Sequence, residues 1–435
     1  MSISTQAYKG ARDFYPEDKR LQQWMFGKWR QVARSFGYQE YDAPLLEPTT
    51  LYATKTSDEI VNEQTYSFVD RGGREVTIRT EMTPSVSRMV AARRQELPYP
   101  IRWFSIPNLW RYERPQRGRL REFWQLNVDL FGISNLSADF EMIQISDAIM
   151  RSFGAKSRMF EIKVNSRKLV NYLLNDYLKL NDVQTDTIIK LVDKMHKIPQ
   201  SEFSAKLDAV LTASQREDGT EGKLSEILKA KLISDLPQDV LKQEFTTQLG
   251  NLIELAKQSG IGNIVFDITL MRGFDYYTDI VFEVFDKHPE NNRAMFGGGR
   301  YDGLVGKFGV DPIATVGFGM GDATLYNFLI LHELMPKLKN DIDVYVILLG
   351  NVYEQAIKPI SLLREMELNV AVDSTGRKLD KQIKTAVKQG IRYAIFIGDQ
   401  ELATEQFKLK DLNTGEEETH SLERIASIVK DYRKK

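Results

Sequence analysis

Cysteine is absent from these 435 residues. Its absence excludes disulfides, cysteine-ligated zinc, iron–sulfur clusters and a thiol nucleophile, and it is compatible with a reducing compartment. Histidine is scarce. The four, at 196, 288, 332 and 420, stand without the spacing of metal ligands, so no metal site can be named from the sequence. Neither sign of charge is in excess, with 59 basic against 60 acidic residues. Any nucleic-acid binding must therefore rest on local patches. No apolar run approaches the roughly 18 residues needed to cross a bilayer. Met1–Lys9 is short and polar, without the apolar core of a signal peptide. What remains is 42% hydrophobic and 27% charged, ordinary for a soluble globular chain of two or three domains. We expect a cytoplasmic protein with no membrane partner.

Periodicity divides the chain. Arg20–Phe36 carries helical apolar spacing and stops at Gly37, and Tyr38–Leu46 is extended and broken by Pro44. Glu75–Glu81 alternates as a strand, and Thr83–Arg94 then reads as a helix. In Phe123–Phe131, Trp124, Leu126, Val128 and Leu130 form an apolar face, and Gln125, Asn127 and Asp129 a polar one. Alternation alone leaves a wet sheet face and a substrate floor equally open. From about 170 to 260 the pattern is helical and charged, with breaks at Ile198-Pro199, Asp218-Gly219 and Leu236-Pro237. Strands resume at Ile264 and at Asp279–Phe285. After a polar hinge at Met335–Asn340, strands and helices alternate as in a small doubly wound domain.

Four segments carry chemistry. Arg111–Arg121, RYERPQRGRLR, holds five arginines in eleven residues around a Pro…Gly turn. Such a hairpin suits oxyanions, because guanidinium forks grip them bidentately, although a solvated basic loop has the same composition. Leu270–Phe285, LMRGFDYYTDIVFEVF, joins an Arg-Gly pair, two tyrosines and a strand; packed tyrosines would be the bland alternative. Gly297–Leu304, GGGRYDGL, suggests a backbone-rich turn beside Arg300. Gly317–Leu325, GFGMGDATL, runs from a strand into a helix. Asp322 and the missing βαβ context exclude a dinucleotide fingerprint, so these glycines would let a helix start approach a ligand or a neighbouring strand.

Together these segments resemble the histidyl-tRNA synthetase family of class II aminoacyl-tRNA synthetases. The likeness runs from KGARDFYP at 9–16 to KDLNTGEEE at 410–418, and includes RTEMTPSVSRM at 79–89 and GGRYDGL at 298–304. RGFDYYT at 272–278 is its most specific part, and GYQEYDAPLLEP around Pro44 resembles a dimerisation motif. The resemblance implies an α+β catalytic domain, a class II antiparallel sheet of six strands flanked by helices, with a helical insertion and a C-terminal α/β anticodon-binding domain. The boundaries we expect are 1–170 and 262–335 for the catalytic domain, 171–261 for the insertion and 341–435 for the anticodon-binding domain.

The resemblance also implies an activity and partners. Histidine would be activated by ATP with Mg²⁺, and then transferred to tRNA(His) by a homodimer. Arg111 and Arg272 would be catalytic, flanking the α-phosphate and the carboxylate. Glu81, Thr83 and Gln125 would hold the α-amino group. Asp129 and Tyr277 would read the imidazole, with Tyr276 lining the pocket. Glu113 and Phe123 would receive adenine, Arg119 would reach the outer phosphates, and Gln116 would meet the tRNA acceptor end.

Two positions depart from the usual family pattern. Asp129 is one carbon shorter than the glutamate many members carry. Thr324 stands where class II enzymes usually place an arginine that grips the γ-phosphate, so Arg117, Arg119 or Arg300 must supply that charge, or ATP binding is weakened. The helical insertion would clamp the tRNA acceptor arm, although its lysines at 179, 190, 194, 197 and 206 also fit a solvated surface. The main alternative is a regulatory subunit of ATP phosphoribosyltransferase. That paralogue typically lacks the anticodon-binding domain and the catalytic arginine element, both of which this chain retains.

Overall fold

The computed structural model describes residues 3–53, 64–195, 198–271 and 277–434. The chain divides into two compact units, Met1–Met335 and Pro336–Lys435.

The first unit is built on one large sheet. Six of its strands run antiparallel in the order β5 (Ile101–Ser105), β7 (Glu122–Phe131), β12 (Thr315–Gly321), β11 (Ala294–Arg300), β10 (Ile280–Asp286), β8 (Phe160–Ser166). Its edges are closed by parallel strands, β1 (Gln39–Glu40) against β5 and β9 (Ile264–Phe266) against β8. β6 (Asn108–Trp110) pairs with the first residues of β7. A separate small sheet joins β2 (Leu46–Pro48), β4 (Glu75–Ile78) and β3 (Tyr66–Val69).

One face of the large sheet is covered by helices. Helix α1 (Pro16–Ser35) starts with proline, whose missing N–H costs nothing in a first turn. It buries Gln22, Met25, Phe26, Trp29, Val32 and Ala33, a single stripe at three- and four-residue spacing. Helix α2 (Thr83–Ala92) follows β4 and packs Val86 and Val90 in a separate cluster with Ile101 and Phe131. Helix α3 (Leu136–Ser152), on the first face, is capped by Asn135, whose side chain accepts from Ser137 N at 3.0 Å. Helix α4 (Asp322–Leu331) leaves the end of β12. Leu126, Val128 and Leu130 of β7 enter this core with none of their surface exposed. The polar residues of β7 face the other way, where Asn127 and Asp129 are buried too. That side of the strand is therefore an enclosed floor and not a wet surface.

Glycine 297–299 does not form a turn. All three lie within β11, hydrogen-bonded between β10 and β12. A Cβ on Gly298 would stand 2.1 Å from the carbonyl oxygen of Gly317, so these glycines permit close approach of strands and not reversal of the chain.

Among the described residues, all regular structure from Arg167 to Gln258 is helical, and the helices end or begin at the three breaks named above. Ile188, Leu207, Leu224 and Leu249 of this segment belong to the same hydrophobic core as the sheet.

The second unit has parallel strands β14 (Val370–Asp373), β13 (Val344–Leu348) and β15 (Tyr393–Ile397), in that order. Helices α5 (Tyr353–Glu365), α6 (Leu379–Lys388) and α7 (Leu422–Lys434) accompany them. An antiparallel hairpin, β16 (Phe407–Asp411) and β17 (Glu417–His420), extends the sheet beyond β15. The alternation of strand and helix is as expected, and the hairpin is an addition to it.

Candidate active site

The enclosed floor of β7 opens into two adjoining cavities. The first, of about 230 Å³, is lined by Glu81, Thr83, Arg111, Gln125, Asn127, Asp129 and Tyr277, with Tyr301 and Gly297, Gly298, Gly317 and Gly319 beneath them. The second, of about 210 Å³, is lined by Arg111, Glu113, Arg119, Phe123 and Gln125, with Gly118, Met295 and Thr324. Arg111, Gln125 and Gly319 border both.

The sheet creates this space by omission. Gly317 and Gly319 of β12 lie opposite Asp129 and Asn127 of β7. A Cβ on Gly319 would meet Gln125 Nε2 at 1.9 Å, and one on Gly317 would meet Asp129 Oδ1 at 2.6 Å. The floor is thus backbone, and polar side chains from β7 lie over it.

Asp129 is a strongly perturbed group in the first cavity. Burial pushes its carboxyl up to about 7, while hydrogen bonds from Tyr301 and Tyr41 pull it back down. Tyr301 Oη donates to Oδ1, and Tyr41 Oη reaches Oδ2 at 3.4 Å. At the other end Glu81 is buried, and the Oε1 of Gln125 is a buried acceptor with no hydrogen-bond partner among the described residues. Acceptors therefore gather at both ends of the cavity, which suits a ligand carrying donors at both of its ends.

Arg111 stands where the cavities meet. Its Nε donates to Thr80 O at 2.9 Å, and its guanidinium lies 5.4 Å from the Phe123 ring centroid. The residue lines both spaces. The arginine-rich segment is a hairpin as its flanks predict: β6 pairs with β7, and Gln116 and Arg119 exchange backbone bonds of 2.9 and 3.0 Å at its tip. Arg119 Nη1 lies 3.7 Å from Glu113 Oε2.

Most of the residues singled out in the sequence converge here. Glu81, Thr83, Gln125, Asp129 and Tyr277 share the first cavity with Arg111; Glu113, Arg119 and Phe123 share the second with it; Gln116 sits at the hairpin tip. Arg272 and Tyr276 lie outside the described residues. Arg300 does not reach a cavity that could hold phosphate. Its guanidinium donates to Asp139 Oδ2 at 2.5 Å, to Ile133 O at 3.1 Å and to Asn135 O at 3.2 Å, a buried structural pair. It is removed from the candidates for the charge missing at Thr324.

Sequence reasoning missed three supports. Tyr41 and Tyr301 hold Asp129, and Asp322 anchors the nucleotide side from behind. Asp322 accepts from Arg12 Nη2 at 2.7 Å and from the backbone of Trp124 at 3.1 Å, next to Phe123. An acidic residue in the first turn of a helix is the one sequence signal among them, since Arg12 meets Asp322 across 310 residues.

A six-stranded antiparallel sheet that carries a nucleotide-sized arginine hairpin beside a polar pocket defines a class II aminoacyl-tRNA synthetase. Residues 10–324 match the family model for histidyl-tRNA synthetase, and residues 343–432 match that for an anticodon-binding domain. The histidine–tRNA ligase of Leptospira biflexa is 41% identical over 431 residues, covering 99% of this chain and 98% of that one. The Thermoplasma volcanium histidine–tRNA ligase is 38% identical, covering 95% and 96%. The solved histidyl-tRNA synthetase of Nostoc sp. PCC 7120 superposes with a TM-score of 0.81 at 22% identity, covering 99% and 100%, a likeness of fold. The chain belongs to the histidyl-tRNA synthetase family.

Proposed function

We propose that this protein is a histidine–tRNA ligase. It activates L-histidine with ATP to histidyl-adenylate and transfers histidine to the 3′ end of tRNA(His). The observation that carries this reading is the meeting of the two cavities at Arg111, one lined by acceptors and the other by an arginine hairpin and an aromatic ring.

In the first step a carboxylate oxygen of histidine attacks the α-phosphorus of ATP, and the bond to pyrophosphate breaks. Two anions must approach in line, so fixed cations are needed where charge accumulates. Arg111 borders the place where carboxylate and α-phosphate would meet, and the family resemblance gives Arg272 the second cationic role in this step. Glu81, Thr83 and Gln125 accept from the α-amino group. Asp129 and Tyr277 bond the two imidazole nitrogens, and the family resemblance gives Tyr276 to the same pocket. Matching both ring nitrogens rejects isosteres, because a wrong side chain leaves buried polar groups unpaired. Glu113 and Phe123 hold adenine, and Arg119 reaches the outer phosphates. In the second step a terminal ribose hydroxyl of tRNA attacks the adenylate carbonyl and AMP leaves, with Gln116 at the acceptor end.

Among the described residues no group of three metal-ligating side chains converges. Mg²⁺ would therefore be held mainly by the phosphates, with Glu113 as the acid lining that cavity, and would offset phosphate charge. Exposed Leu45, Leu46, Phe68 and Val69 around the small sheet support a homodimer interface beside Pro44. Fully active monomer in sedimentation would remove that part. The helical segment 171–261 is assigned to the acceptor arm, and 341–435 to the anticodon of tRNA, in the cytoplasm.

ATP–pyrophosphate exchange tests the whole reading, with histidine, proline, threonine and glycine offered separately. Exchange driven by histidine alone, and lost in Arg272→Ala, is expected. No exchange with any amino acid would favour a regulatory paralogue.

A further inference from the structure

Building on the second cavity as the nucleotide site, we infer that the hairpin tip is docked on the first turns of α4 and pinned there by Arg293. This docking presents Arg119 as the outer-phosphate cation in place of an arginine at position 324. Gly118, at the tip, has φ +76°, and a Cβ built on it would lie 3.2 Å from Asn327 Nδ2 and 3.5 Å from Thr324 Cγ2. The tip backbone therefore rests on α4 with the Thr324 methyl beneath it. The Thr324 hydroxyl is turned into the backbone, 3.0 Å from both Gly321 O and Met295 O. From the turn between β10 and β11, Arg293 Nη1 donates to Arg117 O at 3.1 Å. Glu290 of the same turn lies 4.0 Å from Arg117.

Thr324 is therefore a seat rather than a gap. A side chain as long as arginine at 324 would have to occupy the space where Gly118 lies, and would lift the tip that carries Arg119. Arg293 is a positioning residue: it holds the backbone of Arg117 and, through the closed tip, the direction of Arg119.

The test is calorimetric ATP binding to the full chain, with histidine-dependent exchange measured in parallel. Thr324→Arg is expected to weaken ATP binding about tenfold or more, without changing KM for histidine. Arg293→Ala is expected to weaken it about tenfold, with Arg293→Lys recovering part. Arg293 is exposed, so this variant should fold even if Thr324→Arg does not. Unchanged or tighter ATP binding in Thr324→Arg, or unchanged binding in Arg293→Ala, would overturn the inference. Calorimetry reads the docking and exchange reads the activity, so the two proposals fail separately.

Discussion

Tyr301 donates its hydroxyl hydrogen to the carboxylate of Asp129 within the ligand cavity that both residues line, and so fixes the direction of the acid there. Burial lifts that carboxyl from its ordinary 3.8 to about 7. Between these values the folded chain holds more protons than the unfolded one, so stability falls as pH rises. The contribution is fully present below about pH 4 and is lost as pH passes about 7. Three units correspond to at most about 4 kcal/mol. Asp129→Asn should flatten the dependence of denaturant stability on pH between these limits, and should raise KM for histidine while leaving KM for ATP unchanged. A variant with the same pH slope as the parent would show that Asp129 is not the titrating group.

Gly319 and Gly298 should respond differently to the same methyl group. In Gly319→Ala the obstacle is the far end of the Gln125 side chain, which can rotate away. The fold should survive, with a melting temperature near that of the parent, while KM for histidine rises about tenfold or more because Gln125 has left its place. In Gly298→Ala the obstacle is the backbone of Gly317 at 2.1 Å. Neither strand can yield inside the sheet, so destabilisation above about 3 kcal/mol is expected. Thermal melts and exchange kinetics on both proteins would expose any reversal of this order.

How far the sequence disclosed this site depends on where each residue gets its role. Gln125 and Asp129 were legible because strand alternation puts them on one face. The arginine hairpin was legible because its composition and its turn coincide. Tyr41 and Tyr301 were not, since they meet Asp129 across separations of 88 and 172 residues that no local period encodes. Gly297–Gly299 was misread as a turn because glycine's freedom and its lack of a side chain leave the same letter in the sequence, and only strand pairing separates them. The hairpin of β16 and β17 escaped because its alternation is short, with two apolar residues in β16 and none in β17. Phe407 and Leu409 are nonetheless buried, and the Asn413-Thr414-Gly415 turn marks the reversal.

The Arg300–Asp139 pair should prove structural rather than nucleotide-binding. Both side chains are almost wholly buried, and the guanidinium also satisfies two carbonyls that precede or cap α3. Removing one partner strands a buried charge, which costs about 3–5 kcal/mol. Arg300→Ala should therefore lower denaturant stability by that order. In the fraction that remains folded at low temperature, KM for ATP should match the parent. A selective rise in KM for ATP, with stability retained, would return Arg300 to the phosphate-binding candidates.

In the second unit the sign of the pH effect reverses. Burial works against ionisation of Asp373, but the hydroxyl and N–H of Thr375, then Arg377 and Tyr345, outweigh it and hold the carboxyl at about 2. A depressed folded value means that stability is present above the ordinary 3.8 and is lost as pH falls through about 2. Arg377 is partly exposed, so the contribution is discounted to about 1–2 kcal/mol. These bonds order the segment leaving the carboxyl end of β14, where open α/β sheets place their ligands. Gln382 reinforces it by donating to Arg377 O at 2.8 Å. Asp373→Asn should therefore lose stability at neutral pH and converge with the parent near pH 2. It should also raise KM for tRNA in aminoacylation while leaving tRNA-independent ATP–pyrophosphate exchange unchanged. Equal losses in both reactions would mean that the loop supports the chain as a whole and not tRNA recognition.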